Sequence, residues 1–433
     1  MKDYITHFLI KAHKIILKQD ASEESLLFIK NLRYVVIGGF IASILSMAFQ
    51  VLAGRFFGPV EYGKYILMNS ISVFLGVPML FGIDMAIVKY NSEKGDLERH
   101  KKIISTTLIV YFVLSLFFGL IFLWFSPLLS KLFSVSTIFF NLSVLLTFSL
   151  LLFTLSSAAL QSLHKIREMS VVKVLQKLFI LALFSFFIFI VNINSYINTV
   201  YSFILASFLV FIISFFYLRQ YIGFNFDWFW AEKLLRFGGY GVISGVAGAI
   251  SSNFDKIVIN KFLTSTEIGI YGAYSAAFIV PIFFLFSMFN SVFYPTVSKH
   301  AYKINIFNKI NKIIPLLFTV ALFFIILSGF VVLKLYGKDY SFDLRLGILF
   351  GFLAILMCLA GVYGSMMGSV GTRGIRICTI AGIILMVVNI ILDLLLIPIM
   401  GLLGATISLI VAYVVNISII YLKRDHLAQA ETY

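Results

Sequence analysis

Seven ionisable residues lie within or at the ends of long apolar stretches: Arg55, Asp84, Lys89, Lys177, Asp255, Lys256 and Asp393. A charge at the centre of a bilayer-crossing helix costs about 2.5–3.5 kcal/mol on insertion scales, so such residues tend to face a cavity or a partner. Lys177 falls one helical turn beyond Lys173 on the same face, which sets a ladder of positive charge leading into the bundle. The alternative use of its long stem is to carry the ammonium back to the surface. Asp255 and Lys256 are adjacent, so their side chains leave the helix in different directions and a single self-neutralised pair is not expected. Asp393, at a similar depth, is a candidate partner for Lys256 or a contact for substrate. Asp84 and Lys89 close a span on its inner side, where a solvated helix end is the simplest reading. Lysine and arginine inside a bundle suit an anionic substrate, above all a phosphate, which pairs with them through charge-assisted hydrogen bonds. Arg55, Lys177 and Lys256 set against Asp84, Asp255 and Asp393 leave the sign of the interior balanced.

Other chemistries find no support. No nucleophile elbow, phosphate-binding loop, paired catalytic carboxylates or metal-ligand cluster can be read from the sequence, so an enzyme is not expected and neither is a cofactor or metal. Cys358 and Cys378 sit in apolar segments and suggest neither a disulfide framework nor a zinc site. The net charge of +15 is scattered over short interhelical segments rather than gathered into a binding module, which argues against nucleic acid as a partner.

The elements that must position these charges are membrane helices. A chain that is 61% hydrophobic and 12% charged lies far outside the range of soluble domains. Twelve spans can be marked, at about 34–54, 65–88, 103–125, 137–160, 170–191, 196–218, 238–260, 272–294, 313–333, 344–368, 375–398 and 402–422. They form two copies of one unit. R-F-F-G-P-V-E-Y-G-K-Y at 55–65 and K-F-L-T-S-T-E-I-G-I-Y at 261–271 share Glu61/Glu267, Gly63/Gly269 and Tyr65/Tyr271 at an offset of 206, and the same offset pairs Tyr34 with Tyr240 and Arg167 with Arg373 without a gap. Six spans per copy return the chain to its starting side, so the two six-helix repeats are parallel. With the N-terminus inside, twenty-five Lys and Arg fall on the cytoplasmic side and seven on the other, which places both termini in the cytoplasm.

The domains expected are therefore an amphipathic N-terminal segment at 1–33 with a helix over Met1 to Lys18 lying on the membrane surface, a first bundle at 34–218, an interfacial linker at 219–237, a second bundle at 238–422 and a cytoplasmic tail at 423–433. The linker carries Phe224, Phe226, Trp228, Phe229 and Trp230 beside Arg219, Lys233 and Arg236, a composition suited to the headgroup layer. Gly241 and Gly245, four apart, let another helix approach closely. Both E-x-G-x-Y stretches fall on the outer side as loops, where a tight turn would hold Glu61 and Glu267 near the N-terminus of the following helix. No outer loop exceeds about a dozen residues, which counts against a membrane polymerase or glycosyltransferase.

With R-F-F-G-P-V-E-Y-G-K-Y at 55–65, F-G-I-D-M-A-I-V-K-Y at 81–90, F-D-K-I-V-I-N-K-F-L-T-S-T-E-I-G-I-Y at 254–271 and F-Y-P-T-V-S at 293–298, the chain resembles the polysaccharide (Wzx-type, O-antigen) flippases of the multidrug/oligosaccharidyl-lipid/polysaccharide exporter superfamily. The resemblance implies an all-α integral membrane fold, a V-shaped pair of six-helix bundles that alternate access. It also implies the activity, movement of an undecaprenyl-pyrophosphate-linked oligosaccharide to the outer leaflet of a bacterial cytoplasmic (inner) membrane. Within it, Arg55, Lys177 and Lys256 correspond to cavity cations holding the substrate, and Asp255 or Asp393 to a site for a coupling H⁺ or Na⁺. The partners implied are the lipid-linked oligosaccharide, membrane lipids and the polysaccharide polymerase with its chain-length machinery. Another exporter of the superfamily, for drugs or the peptidoglycan lipid precursor, is the alternative.

Overall fold

The computed structural model describes residues 23–93, 95–223, 225–299 and 303–427. The surface helix expected over Met1 to Lys18 and the end of the tail, 428–433, lie outside them. The helices are α1 (Glu23–Leu80), α2 (Ile83–Asn91), α3 (Leu97–Trp124), α4 (Ser126–Leu132), α5 (Thr137–Ser162), α6 (Ile166–Phe189), α7 (Tyr196–Leu218), α8 (Trp228–Phe262), α9 (Ser265–Tyr274), α10 (Val280–Lys299), α11 (Lys303–Tyr336), α12 (Leu344–Gly368), α13 (Thr372–Met400) and α14 (Leu402–Leu422). Among the described residues there is no strand. Among the described residues eleven helical stretches are long and apolar enough to cross a membrane, so this is a multi-pass membrane protein. The first candidate, Arg33–Leu80, has 48 residues. At 1.5 Å per residue it spans about 72 Å, more than twice the ~30 Å hydrocarbon core, which is length for two crossings.

That length is divided by one residue. Gly58 adopts φ 69 and ψ 173, a combination essentially confined to glycine. Pro59 follows at once in the new helix, where its missing N–H leaves nothing unsatisfied. The loop expected around 55–65 is thus a kink between two helices. A second break falls where the sequence suggested a continuous span over 65–88: Phe81 and Gly82 both take positive φ, ending α1 before α2 resumes. The linker is also shorter than expected, because Trp228 already begins α8. Its remaining turn is pinned to α3, the Gly223 N–H donating to Ser105 Oγ at 2.9 Å and the Asp227 N–H to Thr106 Oγ1 at 3.0 Å.

By contact the described chain divides into two compact units, residues 23–49 with 64–261 and residues 50–63 with 262–427. This partition departs from the sequence repeat in two places. Helix α8, which the repeat counts with the second half, packs in the first unit, and residues 50–63 pack in the second. Glycine explains the first departure. A Cβ at Gly238 would lie 2.2 Å from the Phe81 carbonyl oxygen, one at Gly82 2.6 Å from that of Gly238, and one at Gly245 3.2 Å from Val77. Backbones meet there at a distance that side chains forbid.

In the first unit, Phe49 meets the rings of Tyr65, Phe184 and Phe203 edge-on, while Ile87, Ile103, Leu160 and Val172 are buried in a separate cluster. In the second, Tyr271, Tyr274 and Phe278 gather on Phe350. A π-helical turn, Ser275–Ile279, joins α9 to α10 beside them.

Candidate functional site: charges held within the helices

The two E-x-G-x-Y stretches build helix starts. Thr264, extended at φ −117 and ψ 166, caps α9. Glu267 closes a capping box, its Oε2 accepting from the Thr264 N–H at 3.1 Å and from the Thr264 hydroxyl. Glu61 stands at the same third position after Gly58. The glycines then interlock within the second unit: a Cβ at Gly63 would fall 1.8 Å from the Ser265 carbonyl oxygen, and one at Gly269 2.0 Å from that of Pro59. Tyr62 adds an edge contact to Tyr336 and Tyr340, and the Tyr340 hydroxyl donates to the Gly54 carbonyl at 3.1 Å. Tyr271 is 2% exposed against Phe350, whereas its counterpart Tyr65 packs on Phe49 in the other unit. Arg55, in the same segment, is exposed.

The intramembrane charges differ more from expectation. Asp255 and Lys256 do form an ion pair, with Lys256 Nζ 3.0 Å from Asp255 Oδ1. The same oxygen accepts the Lys256 backbone N–H at 2.8 Å, and the ammonium also donates to the Ser252 carbonyl at 2.6 Å. The expectation of separate directions fails because a four-carbon stem can bend back along the helix toward the preceding turn. Both side chains are sheltered, 14% exposed for Lys256 and 5% for Asp255, so the lysine is already partnered within α8.

Asp393 on α13 is fully buried, and one turn before it Asn389 is 1% exposed with neither polar side-chain atom hydrogen-bonded. Lys173 and Lys177 lie one turn apart on α6, both half-buried. Between them on the neighbouring face, Gln176 is 1% exposed and its Oε1 accepts no hydrogen bond. Asp84 is half-buried in the first turn of α2. Among the described residues no group of three or more His, Cys, Asp or Glu could hold a metal.

Two cavities lie among the described residues. One of about 470 Å³, in the first unit, opens between α2 and α5 and is lined by Asp84, Lys89, Phe153, Thr154, Ser157 and Gln161 among others. The other, about 450 Å³, lies in the second unit between α10, α11 and α12 and is walled by apolar side chains including Phe286, Phe289, Phe318 and Leu359. Sequence reasoning singled out Asp84 and Lys89 but missed Thr154, Ser157, Gln161 and Asn389. The available signals were helical spacing, with Asn389 four before Asp393 and Thr154, Ser157 and Gln161 three and four apart.

This architecture is similar to those of solved transporters of the MOP superfamily. The fold is similar to the inward-facing conformation of a multidrug resistance MATE family transporter of that superfamily, with TM-score 0.62 and 17% identity over 92% of this chain and 96% of the other. It is likewise similar to the Lipid II flippase MurJ in an inward closed conformation, with TM-score 0.60 and 17% identity over 90% and 87%. Residues 28–301 match the family described as polysaccharide biosynthesis protein, and the chain belongs to that family. Stage V sporulation protein B of Bacillus subtilis (strain 168) is 31% identical over 108 residues, a stretch that spans 24% of this chain and 21% of that relative.

Proposed function

We propose that the protein is a flippase that carries an undecaprenyl-pyrophosphate-linked oligosaccharide from the inner to the outer leaflet of a bacterial cytoplasmic membrane by alternating access. One conjunction carries this reading: a chain of a polysaccharide biosynthesis family has the fold of a transporter. A glycan intermediate made on one side of a membrane and used on the other needs a carrier, because neither pyrophosphate nor sugar can shed its water into hydrocarbon unaided. One protein of similar fold is itself named a Lipid II flippase.

Within this reading Lys177, with Lys173 a turn nearer the surface, supplies charge-assisted donors to the pyrophosphate, and Arg55 is a separate candidate cation. Lys256 is the weaker candidate, since Asp255 holds its ammonium. Asp393 beside Asn389 is the better-sheltered candidate for a coupling H⁺ or Na⁺, with Asp255 the other. Both termini lie in the cytoplasm, and the polymerase and its chain-length machinery take the product outside. Deleting the gene should abolish surface polysaccharide while lipid-linked repeat units accumulate in the inner leaflet. Normal polysaccharide would overturn the proposal, and accumulation of peptidoglycan lipid precursor would reassign the cargo.

A further inference from the structure

The cavity between α2 and α5 is unusual for a space within a membrane helix bundle. On α5, Thr154, Ser157 and Gln161 recur at three and four residues and so share one face, with Phe153 beside them. On α2, Asp84 and Lys89 contribute a carboxylate and an ammonium. Among the described residues neither enters an ion pair; the Lys89 ammonium lies instead 4.2 Å from the ring centre of Phe237 and 5.2 Å from that of Tyr90. The Thr154 hydroxyl gives its proton to the Leu150 carbonyl at 3.1 Å, leaving its oxygen to accept. The wall therefore offers a pure acceptor, a pure donor and three groups that can accept, spaced around an aromatic ring and the methyl-bearing side chains of Met85, Val88 and Ala158.

This inventory discriminates between ligand classes. A lone cation would use one carboxylate and leave about 470 Å³ unfilled. An isoprenoid or acyl chain offers no donor to the Asp84 carboxylate or to the Thr154 and Ser157 oxygens, so the polar side of the wall would go unused. A pyranose ring fits both aspects, because its hydroxyls need donors and acceptors at its rim while its C–H faces need apolar contact. We propose that this cavity is a subsite for a sugar ring of the glycan head group, a reading that rests on the flippase function proposed above. Asp84 and Gln161 bind hydroxyls, Phe153 packs against a ring face, and Lys89 is held by aromatic rings within reach of an acidic substituent.

Binding separates the two readings. Purified full-length protein is titrated in nanodiscs with bare undecaprenyl pyrophosphate and with the lipid-linked oligosaccharide extracted from cells lacking the gene. Wild type should bind the glycosylated lipid about tenfold more tightly than the bare carrier, the effect of a few hydrogen bonds, one of them to a charged group. The isosteric Asp84→Asn combined with Gln161→Ala should remove that difference and leave affinity for the bare carrier unchanged. Gln161→Leu alone, at an exposed position that tolerates substitution, should remove part of it with an unaltered size-exclusion profile. A double variant that keeps the full preference would overturn the subsite while the flippase reading stands. Wild-type protein that binds neither lipid would overturn both.

Discussion

The helix starts at Gly58 and Thr264 occupy equivalent positions 206 residues apart, yet they are built differently. One relies on a backbone conformation that only glycine adopts readily, the other on a threonine–glutamate capping box. What they share is the bare backbone two residues past the glutamate, where Gly63 and Gly269 interlock. The ionisable candidates behave in the opposite way. At the same offset Lys177 corresponds to Ile383, Asp255 to Phe49, Lys256 to Gln50, Asp393 to Phe187 and Asp84 to Asn290. Arg55 is the exception, matched by Lys261; residues that serve packing recur in both copies, and the other candidate charges do not. Charge in this protein is therefore a property of individual positions, and each must be explained where it stands.

The sharpest way to break this contrast is to fill the shared glycines. Gly63→Ala and Gly269→Ala each drive a methyl into a carbonyl oxygen that cannot rotate away, and should cost about 3 kcal/mol or more. Thermal unfolding in detergent would show it, and wild-type melting of either variant would refute the interlock. Converting Lys256 to the residue of the other copy, Lys256→Gln, strands a sheltered carboxylate and should cost about 3 kcal/mol. The double variant Asp255→Asn with Lys256→Gln should recover most of that loss; failure to recover would mean the pair is not the unit.

Lys177→Ile, again borrowed from the other copy, should leave insertion and melting intact but cut transport about tenfold, roughly 1.4 kcal/mol. Unchanged rescue of surface polysaccharide in the deletion strain would remove Lys177 from the transport path. Smallest is Thr264→Ala, which loses the cap on α9 and should cost about 1 kcal/mol of stability, read as a modest fall in melting temperature.

How much of this could be read in the sequence depends on the range of the interaction involved. Apolar runs of membrane-crossing length and the repeated turn announce the fold class, because burial in lipid leaves its mark on every residue of a span. The kink at Gly58 was legible only as a loop, since glycine and proline report that a helix ends without saying how many residues the break takes. The assignment of α8 and of residues 50–63 to their units was not legible at all. It depends on glycines such as Gly82 and Gly238 meeting across more than 150 positions, and nothing local encodes the partner. For the Asp255–Lys256 pair, a helical wheel treats side chains as fixed spokes and ignores the reach of a lysine. The polar face of α5 escaped notice because serine and threonine can bond to the preceding turn of their own helix, as Thr154 does, and so raise no alarm in an apolar run.

Residues 50–63 also impose an order on manufacture. Gly54 finds the Tyr340 hydroxyl 286 positions later in the chain, and Tyr62 meets Tyr336 after 274. At synthesis rates of about 5–20 residues per second, roughly 15–60 s pass between the making of this segment and the making of its site. Until then the backbone notch at Gly54 has no tyrosine to fill it, so residues 50–63 emerge with a vacancy that only the last third of the protein can close. Birth order therefore makes residues 50–63 a guest awaiting its host, and a ribosome that stops before Tyr336 releases a chain in which that segment lacks the tyrosines it packs on.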